Sequence, residues 1–297
     1  MENNKKKSII PTIILTILSL LWIYPIILIL LNSLKKESAI TTTGVFELPL
    51  GEIWNGFTNY IASVTQMDFL KSFWYSLVIS VMSVVLILLC CSMCAWYIVR
   101  VNGVLSKILY YLFIFSMVVP FQMVMFTLAK TADTLKLNTP YNICIIYLGF
   151  GAGLAVFMFT GFVKGIPLEI EEAALIDGAN QWQICWKVIV PLSKASIATI
   201  TLFCIVGHWN AWFDGMLYFN TSVGQPLGTF LHNMVVNSGL DVMKSTSDVE
   251  TLAQLMKISS QTTKAAQIFL AMLPILIVYP YMRRYFSKGI VMGSVKG

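Results

Sequence analysis

The chain has 297 residues, 57% of them hydrophobic and only 11% charged, with a mean hydropathy of +0.77. That composition leaves too little polar surface to cover a water-soluble fold and points to an integral membrane protein. Topology accounts for the net charge of +6, so no nucleic-acid partner is called for.

Six stretches free of Asp, Glu, Lys and Arg are each long enough to cross a hydrocarbon core at about 20 residues per helix. The first crossing is expected over residues 9–32. Lys5, Lys6 and Lys7 ahead of it resemble the start of a signal peptide, but the apolar run is too long and no small-residue cleavage site follows, so this helix is expected to stay attached. A long segment follows, with turn signals around Gly44, Pro49 and Gly51. After it comes a mixed stretch that fits an interfacial helix, with Tyr60, Phe69, Phe73 and Trp74 as headgroup anchors. The next crossings are expected over 72–98, 108–129 and 140–163. A charged loop, 164–194, separates these from the fifth crossing, 195–217. A second long segment, punctuated by Gly224, Pro226, Gly228 and Gly239, leads to the sixth, 266–282. Pro25, Pro120, Pro274 and Pro280 lie in predicted spans and are expected to kink them. No linker divides the chain, so residues 1–297 read as a single all-α polytopic domain of six transmembrane helices.

Basic residues set the orientation. With the N-terminus inside, the inner segments hold 12 of the 20 Lys and Arg and 5 of the 14 acidic residues. The inner side then carries about +7 and the outer about −1, and both termini are expected on the cytoplasmic face of a cell membrane. The six cysteines lie almost wholly in or beside apolar runs without a repeated zinc-type spacing; they read as packing residues, and no metal site is expected. No charge lies deep in a span except Asp214, at an outer end, which disfavours a proton-coupled or ion-coupled secondary transporter.

The loop concentrates unusual chemistry. Four carboxylates fall between Glu169 and Asp177. Pro167 suits a first helical position, the acidic residues favour the positive end of the helix dipole, and Gly178 suits a left-handed stop. A second helix should follow, with Trp182, Cys185, Trp186 and Ile189 as its apolar stripe, ending at Pro191. A mere connection needs only a handful of residues, and an amphipathic helix resting on lipid favours Lys and Arg on its polar face. A short, rigid, acidic helix instead fits a docking element for a partner protein.

The spacing of these residues resembles the EAA loop of binding-protein-dependent ABC importer permeases: EAA, three residues, Gly, nine residues, then Ile-x-Leu-Pro. Glu172, Ala173, Ala174, Gly178 and Pro191 match in register, and Val188 and Val190 replace Ile and Leu. The stretches "GHWNAWFDGMLY" and "YFSKGIVMGSVKG" resemble carbohydrate-uptake permeases of the maltose and multiple-sugar type. The resemblance implies a permease subunit of an ATP-driven carbohydrate importer, with oligosaccharide the first expectation, and a coupling helix that meets an ATPase through Glu172, Ala173, Ala174, Asp177, Gly178 and Pro191. It also implies a second homologous permease, two ATPase subunits and an extracytoplasmic sugar-binding protein as partners, together with sugar and membrane lipid. By the same resemblance a tail including Gly293, Lys296 and Gly297 reaches the ATPases. The chain carries no GxxxxGK[ST] phosphate loop, so it is expected not to be an enzyme or to bind a cofactor; ATP and Mg belong on the partners.

His208, Trp209, Asn210 and Trp212, near the outer end of the fifth span, offer rings and amides of the kind that bind sugars. An aromatic belt at the membrane interface is the alternative for the same residues. For the whole chain, a permease for peptide or amino acid, or a secondary transporter, stands as the alternative.

Overall fold

The computed structural model describes residues 9–65, 67–219, 224–237 and 261–294. Its elements are helices: α1 (Ile9–Ser33), α2 (Glu37–Thr42), α3 (Thr58–Thr65), α4 (Met67–Arg100), α5 (Val104–Val118), α6 (Phe121–Thr134), α7 (Cys144–Val163), α8 (Leu168–Ile176), α9 (Gln181–Leu192), α10 (Lys194–Trp209), α11 (Trp212–Tyr218), α12 (Leu227–Asn237) and α13 (Gln261–Ser294). No strand occurs among the described residues, only an isolated bridge between Lys35 and Trp54.

Among the described residues, four helices are long and apolar enough to span a membrane: α1, α4, α7 and α13 up to Met282. The count reaches six when α5 with α6 and α9 with α10 are each taken as one broken span. The third apolar stretch, expected over 108–129 with a kink at Pro120, is broken there into two helices. Val119 is extended, with ψ 116, Pro120 caps α6, and the two halves bend by 104°. The cause is local: the proline ring disfavours helical backbone at the residue before it and supplies no N–H. The fifth stretch, expected over 195–217, is also divided. Its helix stops at Trp209 with Asn210 as C-cap, and Trp212–Tyr218 form a separate helix of 7 residues. Pro25, Pro274 and Pro280 lie inside continuous helices.

The chain forms two compact units, residues 1–70 with 233–273, and residues 71–232 with 274–297. In the first, Asn59 is the organising residue. Its amide donates to the carbonyls of Ser33 and Lys35 and its oxygen accepts from Asn55 and Thr262. Glu37 accepts from the backbone N–H groups of Gln261 and Thr262 and from the Thr262 hydroxyl, which satisfies orphan donors at the start of α13 and places a carboxylate on its positive end. Tyr60 bonds Ser33, and burial raises its phenol above the usual range against the opposing effect of that bond.

The second unit has its main core between α4, α7 and α10. Ile87, Cys91 and Ala95 recur every four residues on α4, facing Ala152, Ala155, Val156 and Phe159 of α7 and Ile200 and Cys204 of α10. Their spacing is the helical repeat, and Val81, Val85 and Leu89 on the remaining face of α4 stay exposed. Helix α7 approaches α5 closely because Gly153 lacks a side chain: a Cβ there would lie 2.8 Å from the Phe113 carbonyl oxygen and 2.7 Å from Met117 Cγ. Small residues at such crossings let membrane helices pack backbone to backbone.

Candidate functional site

Helix α8 carries the acidic run. Pro167 precedes it as the N-cap, with extended ψ 137, one position earlier than the sequence suggested, and its carbonyl accepts from Ile170 N–H. At the far end Asp177 is the C-cap and Gly178 takes φ +82. Gly178 N–H donates to the Leu175 carbonyl and Ala179 N–H to the Ala174 carbonyl, each at 3.0 Å. This pair of bonds is the Schellman stop, which needs a left-handed residue at the glycine position. A Cβ on Gly178 would meet no atom within 4 Å, so the requirement for glycine here is conformational rather than steric.

Along this helix Glu172, Ala173, Asp177 and Gly178 are exposed and Ala174 is half-buried against the core beneath. Ile176 is 86% exposed and Leu175 is also exposed, so the outer face of α8 mixes apolar and acidic groups. Glu171 is the exception. It is 5% exposed and points back to α4, where its carboxylate accepts from Arg100 Nε at 2.6 Å and Trp96 Nε1 at 3.0 Å.

Helix α9 begins with a capping box. Asn180 Oδ1 accepts from Gln183 N–H, and Gln183 Oε1 accepts from Asn180 N–H, both at 2.9 Å. From Ile184 to Ile189 the helix widens into a π-turn, just before Pro191, which has no N–H to give. The widened turn changes the buried stripe. Ile184, Cys185 and Ile189 are buried, and Ile184 and Ile189 pack with Val163, Ile166, Trp96 and Val99. Trp182, expected in the stripe, is 63% exposed. Pro191 is exposed at the far end of α9, where the chain turns by 77° into α10.

The four aromatic and polar residues proposed for the path do not form one exposed cluster. Trp209 is buried, edge-on to Phe73 of α4. His208 stacks on Tyr147 of α7 at 4.4 Å. Asn210 is exposed, but its amide turns back to the Val206 carbonyl. Trp212, 42% exposed, stacks on His232 at 4.0 Å, and its carbonyl accepts from Thr229. Gly293 falls within the last helix; Lys296 and Gly297 lie outside the described residues.

Residues 88–292 match the family described as binding-protein-dependent transport system inner membrane component. This chain belongs to that family. A protein described as a probable starch degradation products transport system permease, AmyC of Thermoanaerobacterium thermosulfurigenes, is 31% identical, with 94% of both chains covered. The diacetylchitobiose uptake system permease NgcG of Streptomyces coelicolor is 24% identical over 99% of this chain and 91% of its own. In three dimensions the chain is similar to one from the crystal structure of a bacterial ABC transporter that imports the acidic polysaccharide alginate, with TM-score 0.79 and 28% identity over 94% of this chain and 95% of that one. The protein is a multi-pass membrane transport component and not an enzyme family member.

Two features of the site escaped sequence reasoning. The Asn180–Gln183 box was readable, since Asn-x-x-Gln before an apolar run is a helix-start pattern. The Glu171–Arg100–Trp96 contact was not, because its partners are 71 and 75 residues apart and no local pattern joins them.

Proposed function

We propose that this chain is one of two permease subunits of an ATP-driven carbohydrate importer, lining half of the translocation path and coupling it to ATPase subunits. The observation that carries the reading is α8: a short acidic helix, stopped by Gly178 and presenting Glu172 and Ile176 outward, in a chain of this family. A fixed mixed surface of this kind suits a cleft on a partner that must be moved and must move the permease in return.

The sugar assignment rests on relatives whose names refer to starch degradation products and diacetylchitobiose and on the fold of an alginate importer. In the proposed assembly a homologous permease completes the path, two ATPases bind at the α8 side and hydrolyse ATP with Mg, and an extracytoplasmic binding protein delivers sugar. Glu172, Ala173, Ala174, Asp177 and Gly178 form the docking helix, and Pro191 closes its support. In the same assembly Gly293, Lys296 and Gly297 are assigned to a tail that contacts the ATPases. Both termini are cytoplasmic by charge. On the path, Trp212 stacks on His232 but is 42% exposed and can still meet substrate, whereas His208 and Trp209 are engaged in packing.

Reconstituting the complete complex in proteoliposomes with its cognate binding protein tests this. ATP-dependent uptake of labelled oligosaccharides, with no uptake of peptides or amino acids from a matched panel, is the expected result. Uptake of a non-sugar solute alone would overturn the carbohydrate assignment.

A further inference from the structure

Arg100 is the last residue of α4, and Glu171 stands in the first turns of α8. The two guanidinium nitrogens that face Glu171 both lie 2.6 Å from its Oε1. One of them also donates to the Ile166 carbonyl at 3.1 Å, at the corner where α7 turns toward α8. Trp96, one turn earlier on α4, takes the other carboxylate oxygen. The side chains are 19% and 7% exposed. One cation therefore ties three places together: the end of α4, the α7–α8 corner and the docking helix itself.

Such a pair is an odd choice if stability alone is required. Desolvating both charges offsets most of their attraction, and apolar residues of similar volume often hold a fold equally well. What an apolar contact does not provide is a fixed point. The packing of Trp96, Val99 and Ala174 against the cluster of Val163, Ile166, Ile184 and Ile189 resists compression, but apolar surfaces slide and carry no directional preference. A charge-assisted contact shielded from water, in which one rigid guanidinium holds both Glu171 and the Ile166 carbonyl, keeps one geometry and resists separation as well as approach.

We propose that Arg100 and Glu171 are positioning residues that fasten the docking helix to α4, so that α4 follows every displacement of α8 during transport. The inference rests on the reading of α8 as the ATPase-docking helix. Neither residue meets sugar or nucleotide. Their part is to carry force from the loop into the helix whose other residues, Ile87, Cys91 and Ala95, form the core with α7 and α10.

The test uses the full complex in proteoliposomes with Arg100→Gln, Glu171→Gln, the double variant and Arg100→Lys, reading ATPase co-purification and sugar imported per ATP hydrolysed. Co-purification is expected to stay normal, because the exposed face of α8 is untouched. Import per ATP should fall about tenfold in each single variant and no further in the double, the signature of one shared link. Arg100→Lys keeps the charge without the rigid guanidinium and should recover part of the ratio; it carries the comparison if Arg100→Gln fails to insert. Wild-type import per ATP in the Gln variants, additive losses in the double, or loss of the ATPase from Arg100→Gln would each overturn the proposal. Glu172→Lys, run alongside, tests the docking reading separately. Normal ATPase binding and coupling there counts against α8 as the docking helix, whereas an uncoupled Glu172→Lys beside a fully coupled Arg100→Gln counts against the link alone.

Discussion

Gly178 shows how one backbone angle can govern the end of a helix. Its φ of +82 lies where an L side chain costs about 1 kcal/mol, and both bonds that end α8 converge on the turn it makes. Gly178→Ala should therefore loosen the α8–α9 turn by about that amount, while Gly178→Pro, which cannot adopt φ +82 and removes the N–H given to Leu175, should break it. We expect a partial loss of sugar-stimulated ATP hydrolysis in the alanine variant and near-complete loss in the proline variant, with both chains still inserted. Equal activity of Gly178→Pro and wild type in the assembled complex would show that the turn does not matter for coupling.

At the scale of elements, the helices announce themselves through missing charge, and their contacts do not. Runs without Asp, Glu, Lys or Arg located α1, α4, α7 and the membrane part of α13, because a span must keep charge out over its whole length. Hydropathy did not show the bend, since it records where a chain is apolar and not where it turns; Pro120 marked its place but not its size of 104°. Helix α8 was legible from Glu169 to Gly178 because its start, dipole and stop are all local. The buried stripe of α9 was not, because a π-turn replaced the expected 3.6-residue period and exchanged Ile184 for Trp182. Close helix approach offers a sharper test. A leucine at Gly153 would drive its Cβ into the Phe113 carbonyl, and overpacking of this kind costs about 1–3 kcal/mol. Gly149, on the same helix, has no atom within 4 Å of its Cβ position and is the control. Gly153→Leu should lower the thermal midpoint in detergent by several degrees, while Gly149→Leu stays near wild type; equal midpoints would mean that α5 and α7 do not meet through Gly153.

For the whole molecule, the contacts constrain which chain segments share a side, and the charges say which side it is. Arg100 meets Glu171 and Lys164 lies over the Tyr110 ring, so the α4–α5 turn and the α7–α10 loop lie at one end of their helices. Tyr75 meets Tyr141 and Phe73 meets Trp209, which puts the start of α4, the α6–α7 turn and the end of α10 at the other. This alternation is possible only if the bent pair α5 and α6 crosses once, despite its break. The first end carries the excess of Lys and Arg and should be cytoplasmic. In a cysteine-free background, single cysteines at Gly103 and Asn180 should then resist a membrane-impermeant maleimide applied to intact cells and react after permeabilisation, whereas cysteines at Gly51 and Asn138 should react directly. Asn138 decides most. If α5 and α6 dip in and return on the same face, Asn138 will label with Gly103, and the chain will have one crossing fewer than its alternating charges require.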